Sequence, residues 1–372
     1  MRIEIVSNRI KSYISVSNRI KMKERVYQFT LDLDWNLLNL IGEIDRFDAT
    51  WSAVERPENQ GLKALRSLAS IQSVGASNRI EGNPLSDEEV DALLGNIDST
   101  TLEDRDAQEV VGYFEALELV LESYEEIPLT ASQMKNLHNQ MLRYSVKDAW
   151  HKGDFKPHNN VVEATLPDGS KQVIFQTTEA GFATEDAMQQ LVEWYRDETT
   201  VHPLVRISAC VYEFLSIHPF QDGNGRLSRL LSTLLLLKAG YRWVQFVSFE
   251  REIELRRNEY YQALRSCQIQ RPGEDISVWV HFFLSAIGDI AKRLAEKLDG
   301  AGEEHQLTPR QRAVLMLIRE RPHLASGEIA TRLAIPVPSV KRLLSDLVAM
   351  GLLQRHGEGR GVRYAAVSPW AG

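Results

Sequence analysis

The stretch His218-Pro219-Phe220-Gln221-Asp222-Gly223-Asn224-Gly225-Arg226-Leu227-Ser228-Arg229 decides how the chain is read. It sets an imidazole, a carboxylate, a glycine-rich turn and two guanidiniums side by side. A histidine before a tight proline turn is held at a helix end, and it can accept a proton from a hydroxyl nucleophile near neutral pH. Asp222 is a hard oxygen ligand, suited to a Mg²⁺ ion that also holds phosphate oxygens. Gly223, Asn224 and Gly225 let the backbone approach a ligand and point N–H groups inward. They precede a helix over 226–239, whose N-terminal dipole favours an anion. Arg226 and Arg229, three residues apart, fall on one helix face and are expected to reach the same polyphosphate. Phe220 is expected to anchor the loop in the core. Any one of these residues fits an ordinary capped loop; all of them at this spacing point to nucleotide chemistry.

Around this stretch the apolar spacing is mostly helical. Leu37, Leu38, Ile41, Ile44 and Phe47 mark one helix, and Leu62, Leu65, Leu68, Ala69 and Ile71 another. The second is expected to run to Glu81 and stop at Gly82-Asn83-Pro84. Ser86 reads as the next cap, with Glu89 as its reciprocal partner. Helices are expected over 106–124, from Thr130, over 184–195, 204–217, 252–266 and 276–298. Val161, Val162 and the run 172–175 around the turn Pro167-Asp168-Gly169 predict a β-hairpin, the only convincing strand signal before the C-terminus.

Beyond the joint Asp299-Gly300-Ala301-Gly302, the chain changes character. Thr308-Pro309-Arg310-Gln311 combines an N-cap, a proline at the first helical position and a capping-box glutamine. Helices over 311–320, 326–333 and 339–350 follow, then a hairpin with a glycine-rich tip at 357–361. Helix, helix-turn-helix and basic hairpin is the winged-helix order. Charge agrees: residues 305–372 carry net +6 on an otherwise acidic chain of net −8. Lys341 and Arg342 lie where a recognition helix meets a major groove. Arg355, Arg360 and Arg363 decorate the wing, where they could meet phosphates. A protein-docking winged helix with a solvated basic face is the alternative.

The length of 372 residues implies two or three domains. The run around Leu234–Leu237 is too short to span a bilayer, so no membrane partner is expected. No charged-then-apolar leader opens the chain, and the cytoplasm is the expected location. Cys210 and Cys267 are expected to be reduced and buried. Val6-Ser7-Asn8-Arg9-Ile10-Lys11 recurs letter for letter as Val16-Ser17-Asn18-Arg19-Ile20-Lys21. Two copies are too few for a repeat fold. Residues 1–21 are therefore expected to be a disordered leader without function.

The segment 218–229 resembles the signature of the Fic family, His-Pro-Phe-x-(Asp/Glu)-Gly-Asn-Gly-Arg-x-x-Arg, at every fixed position. The likeness covers about residues 60–298. The resemblance implies transfer of AMP from ATP to a Tyr, Ser or Thr hydroxyl of a protein, the chain itself included. His218 would be the base and Asp222 the Mg²⁺ ligand. Gly223, Asn224 and Gly225 would bind the α- and β-phosphates, and Arg226 and Arg229 the β- and γ-phosphates. Gly225 separates the chain from the phosphorylating branch typified by the Doc toxin, which has Lys there. Gly153-Asp154-Phe155-Lys156 looks like the segment before the family's flap, with Lys156 where Arg is commoner. The flap residues Val161, Val162, Val173 and Ile174 would offer a strand edge to the target. Tyr260 and Tyr261 resemble the tyrosine pair near the adenine, and Gln268 stands where many members have Asn.

Ser77-x-x-x-Glu81-Gly82 resembles the inhibitory motif of members that carry it N-terminal to the core. The likeness implies that Glu81 pairs with Arg229 in the place of the γ-phosphate. In some relatives the same glutamate positions a water that removes AMP. The expected architecture is mainly α: a leader (1–21), an N-terminal helical region (22–104), a helical core with a hairpin flap (105–298) and a winged helix-turn-helix domain (305–372). The expected activity is Mg²⁺-dependent protein adenylyl transfer restrained by Glu81. Two alternatives stand beside it: a DNA-binding regulator with a nucleotide-sensing core, and a transferase using UTP or CDP-choline. The target and the choice between monomer and homodimer are not legible.

Overall fold

A computed structural model describes residues 2–6, 9–11, 28–53, 60–96, 102, 104–165, 171–299, 307–357 and 359–367. Its body is helical, as the spacing predicts. Helices α1 (Trp35–Ser52), α2 (Gln60–Ile80), α3 (Asp87–Leu94), α4 (Arg105–Ser123) and α5 (Ala131–Met141) lead to the hairpin. Helices α6 (Phe182–Asp197), α7 (Pro203–Ile217) and α8 (Asn224–Lys238) follow it, then α9 (Phe249–Leu255), α10 (Arg257–Gln268) and α11 (Ser277–Asp299). The starts obey capping chemistry. Ser86 and Glu89 close a capping box on α3, and His202 accepts the Leu204 N–H before Pro203. The expected helix over 252–266 is two helices, because Arg256 leaves the helical conformation at φ −110° and ψ 30°.

At the centre lie α7 and α8, which pack together and are buried on nearly every face. A helix that is apolar all round belongs in a core. Trp279 of α11 is wholly buried against Tyr212, Tyr260, Phe282 and Phe283, and its indole N–H donates to the Ser208 carbonyl at 2.8 Å. Cys210 and Cys267 are buried free thiols, as expected. Among the described residues no helix is long and apolar enough to cross a membrane.

The hairpin forms from β4 (Val161–Thr165) and β5 (Lys171–Gln176), antiparallel, with a bulge between Val162 and Glu163. Its expected turn at Pro167-Asp168-Gly169 lies outside the described residues. One expectation about strands needs correction: the hairpin is not the only strand pairing before the C-terminus. Residues 2–6 and 9–11 pair antiparallel and join the strand Gln28–Asp32 in a three-stranded sheet. These stretches are rich in β-branched Ile and Val, which suit a pleated surface and were outweighed by the exact repeat. The sheet is tied to the body at Thr30, whose N–H donates to the Glu274 carbonyl at 2.8 Å and whose carbonyl accepts from Ile276 at 3.0 Å.

The C-terminal unit has the expected order: α12 (Pro309–Glu320), α13 (Ser326–Arg332), α14 (Val337–Ala349) and an antiparallel hairpin of Leu353–His356 with Arg363–Ala366. Thr308 and Gln311 close the expected capping box. The unit does not stand apart from the body. Its apolar cluster takes in Ala64 and Leu68 of α2.

Replacing Trp279 by Phe removes the indole donor to the Ser208 carbonyl and leaves a gap among four aromatic rings. Denaturant unfolding should show a loss of about 2 kcal/mol; an unchanged midpoint would contradict the packing described.

Candidate functional site

The signature forms the turn between α7 and α8. His218 caps α7 in the left-handed conformation, at φ 53°, which turns the chain sharply away from the helix axis. Its Nδ1 lies 3.3 Å from the Leu215 carbonyl. A carbonyl only accepts, so Nδ1 carries the proton and Nε2 the lone pair of a general base. Burial pushes the ring down to about 4, helped by the nearby Lys156 cation. The sequence suggested an imidazole that accepts a proton near neutral pH. The folded ring is half-buried and stands neutral, ready to take a proton.

Phe220 is wholly buried, as expected, and stacks on His138 at 3.9 Å between ring centres. Asn224 turns back on the loop instead of facing outward. Its Oδ1 accepts the Phe220 N–H at 2.9 Å and its Nδ2 donates to the Phe220 carbonyl at 2.8 Å. Gly223 starts α8 at φ 79°, and a Cβ there would stand 2.9 Å from the Met141 methyl and 3.3 Å from His138. Asp222 is opposed by burial, yet Arg226 and the Gly223 N–H at 2.6 Å hold its carboxyl below the ordinary range. No group of three or more His, Cys, Asp or Glu side chains suited to a metal occurs among the described residues. A cation at Asp222 would take its remaining ligands from phosphates and water, as Mg²⁺ commonly does. The site fits such an ion.

The two arginines diverge. Arg226 is buried beside Glu109, at 3.3 Å, and Glu109 also pairs with Arg105 at 2.9 Å. Arg229 turns to α2, where its Nε donates to Ser77 Oγ at 2.9 Å and its Nη2 to the Ser77 carbonyl at 2.9 Å. Nη2 also meets Glu81 Oε1 at 2.8 Å. Burial opposes the charge of Arg229, and Glu81 is the largest influence raising its pKa. The remaining nitrogen, Nη1, is buried without a hydrogen-bond partner. Gly225 admits Glu81: a Cβ there would lie 2.3 Å from Glu81 Oε1.

A cleft of about 840 Å³ opens beside the turn, lined by Glu81, His218, Gly225, Arg229, Tyr260, Tyr261 and Gln268, together with Val162 of the flap; Asp222, Asn224 and Arg226 do not line it. That size suits a nucleotide-sized ligand. Tyr260 is buried, and Gln268 is held by Ser216 at 3.1 Å with its Oε1 left unpartnered. Val161 and Val173 are exposed on the hairpin, as a docking edge requires, whereas the Ile174 side chain lies outside the described residues. Lys156 is buried and locks the hairpin base to the signature. Its Nζ donates to Asn160 and Thr177 at 2.8 Å each and to the Ile217 carbonyl at 3.2 Å, and burial pushes it down to about 8. In the C-terminal unit Lys341, Arg342 and Arg355 are exposed and Arg363 half-buried. The Arg360 side chain lies outside the described residues.

Two residues that sequence reasoning passed over shape the loop. Glu109 supplies the buried partner of Arg226. His138 accepts the Gly153 N–H on Nδ1 at 3.0 Å, so its Nε2 carries the proton and donates to the Asp222 carbonyl at 3.0 Å. Burial holds its ring down at about 4. The one signal in the sequence was a histidine on the apolar face that Met134, Leu137 and Met141 define.

Residues 128–236 match the Fic/DOC family model and residues 305–361 the MarR family model. A protein adenylyltransferase Fic of Drosophila virilis is 25% identical over 297 residues, covering 75% of this chain and 56% of that protein. Its counterpart in Drosophila melanogaster is 28% identical over 189 residues, covering 49% and 35%. The chain thus spans about half or less of the length of these curated relatives. Among solved structures, a Fic family protein from Desulfovibrio desulfuricans superposes with TM-score 0.58 at 23% identity, over 91% of this chain and 97% of that one. Fic-1 from C. elegans gives 0.55 at 20% identity, over 72% and 74%. These two likenesses establish the fold.

The His218 imidazole should titrate near pH 4 in the nucleotide-free chain. It then stays neutral through pH 7 and down past pH 5, and gains its proton only as the pH falls through about 4. Ring resonances followed by NMR would check this, and a midpoint at 6 or above would contradict the buried environment.

Proposed function

We propose, from a Fic domain joined to a MarR-family winged helix, that this chain is a protein adenylyltransferase restrained by its own Glu81. The observation that carries the reading is the buried Arg229. It bears a full charge, a free Nη1 and one carboxylate partner, all at the mouth of a cleft that holds a neutral histidine. ATP would enter this cleft with its adenine toward Tyr260 and Tyr261 and its phosphates over the start of α8. There the backbone of Gly223–Gly225 and the helix dipole favour anionic oxygen.

His218 Nε2 would take the proton of a Tyr, Ser or Thr hydroxyl as that oxygen attacks the α-phosphorus. A new oxygen–phosphorus bond forms, the bond to the β-phosphate bridging oxygen breaks, and pyrophosphate leaves with the electron pair. Asp222 would hold Mg²⁺, whose charge offsets that of the phosphates. Asn224 acts by fixing the loop through Phe220. Arg226 favours the ionised Asp222 through its charge and does not line the cleft, so phosphate contact would fall chiefly to Arg229. The exposed edge of the hairpin would seat the target backbone by β-augmentation.

Glu81 occupies the guanidinium that a γ-phosphate would need. A carboxylate and a phosphate oxygen compete for one fork of donors. Only a nucleotide that displaces Glu81 could settle with its α-phosphorus in line for attack. The winged helix would bind DNA through Lys341 and Arg342 at the exposed start of α14, with Arg355 on the hairpin reaching backbone phosphates.

Glu81→Gly should raise incorporation of AMP into the chain itself by at least about tenfold, as expected for removal of a carboxylate that competes for the Arg229 guanidinium. Adding His218→Ala should abolish it, read as a mass increase of one AMP after incubation with ATP and Mg²⁺. Equal labelling of wild type and Glu81→Gly would refute the restraint. For the second domain, the full chain should be retained on duplex DNA at low salt and released as salt rises, and Lys341→Ala with Arg342→Ala should weaken retention at every salt concentration. Retention that ignores salt, or none, would point to a protein-docking module instead.

A further inference from the structure

The winged-helix unit grips the helix that carries Glu81. Along the first half of α2, Leu68 and Ala64 are buried in one apolar cluster with Leu317 and Ala313 of α12. Further along α2, Gln72 donates to Glu320 at the end of α12, at 3.2 Å. On the neighbouring α3, Asp91 is held by two arginines of the same unit. Arg321 meets it at 3.0 Å, and Arg332 pairs with the same oxygen. Arg321 also reaches the Asp87 carbonyl at 3.4 Å. The unit therefore holds both arms of the α2–α3 corner.

Glu81 sits in that corner. Two residues before it, Arg79 pairs with Asp87 of α3 at 2.9 Å and donates to the Leu85 carbonyl at 2.9 Å. Arg257 donates to the Ile80 carbonyl at 2.8 Å and closes the end of α2. From Leu68 to Glu81 is thirteen residues, about 20 Å of helix at 1.5 Å per residue. A helix packed along its length moves as a rod, so a load on its first half is felt at its last turn.

We propose that the seated winged-helix unit is a brace on the inhibitory helix. Its grip on α2 and α3 keeps Glu81 on Arg229, and unseating it frees the guanidinium for nucleotide. The inference rests on the restraint by Glu81 argued above. Lys341 and Arg342 remain exposed while the unit is seated, so the brace and the basic helix end belong to one movable body. An occupant that prefers the unseated unit would open the transferase site. By reciprocity, nucleotide that displaces Glu81 would loosen the brace.

The test uses the full chain. Asp91→Arg turns two attractions into repulsions, and Leu68→Arg drives a charge into the apolar seam. Neither residue touches the cleft. Each variant should raise auto-adenylylation about fivefold or more, the lower end of ordinary coupling between sites. Backbone hydrogen exchange over 307–320 should quicken in step. In the Asp91→Arg background, Arg321→Asp with Arg332→Asp should restore both quantities toward wild type. Faster exchange in the seam with labelling still at the wild-type level would overturn the brace, provided Glu81→Gly labels strongly in parallel. If Glu81→Gly is itself silent, the restraint fails, and the brace with it.

Discussion

A guanidinium with almost no exposure to water has to be answered by negative charge. Arg229 is 1% exposed, and its nearest elements are arranged around that demand. Ser77 supplies a hydroxyl and a carbonyl, which satisfy geometry without neutralising charge. Glu81 supplies the charge. An uncompensated buried cation is far more costly than a surface one. The site therefore always calls for an anion, and the choice lies between a carboxylate of the chain and a phosphate of a ligand. On the proposed reading, regulation and substrate binding would be one competition for the same fork of N–H groups.

The turn next to Arg229 is built for stiffness more than for contact. Asn224 spends its amide on Phe220, His138 bonds the Asp222 carbonyl and the Gly153 N–H, and Lys156 ties the hairpin base to the Ile217 carbonyl. Each of these side chains is buried. Together they fix the backbone of the turn and the position of the His218 ring. Preorganised donors need no rearrangement at the moment of reaction, which is where such sites gain most of their effect. A neutral ring with its free lone pair on Nε2 suits the same purpose.

The joining of two domains through α2 gives that helix three simultaneous duties. It packs into the main core through Leu65, Ile71 and Val74, it shares Ala64 and Leu68 with the winged-helix unit, and it delivers Ser77 and Glu81 to Arg229. A single rigid element with three attachments transmits strain among them. The proposed coupling between the basic C-terminal domain and the cleft would run through this helix.

Much of this was legible in residue order, because the decisive forces there are local. Apolar spacing set the helices, Ser86 and Thr308 set their starts, and twelve contiguous residues placed histidine, carboxylate, glycines and arginines on one turn. Glu81 by itself read as an ordinary surface glutamate, and only the resemblance of Ser77-x-x-x-Glu81-Gly82 to an inhibitory motif pointed it at Arg229. What residue order left open was direction. Arg226 and Arg229 share a face by spacing, yet one meets Glu109 and the other Glu81, since each guanidinium turns to the acid within its reach. His138 and Lys156 found their roles only when α5 and the segment after it closed on the turn. The strands 2–6 and 9–11 depended on a partner strand at 28–32. The seam between α2 and α12, more than two hundred residues apart, has no local signature. An apolar residue such as Leu68 satisfies the same pattern whichever core it enters, so sequence periodicity determined that it is buried and tertiary packing alone decided against what.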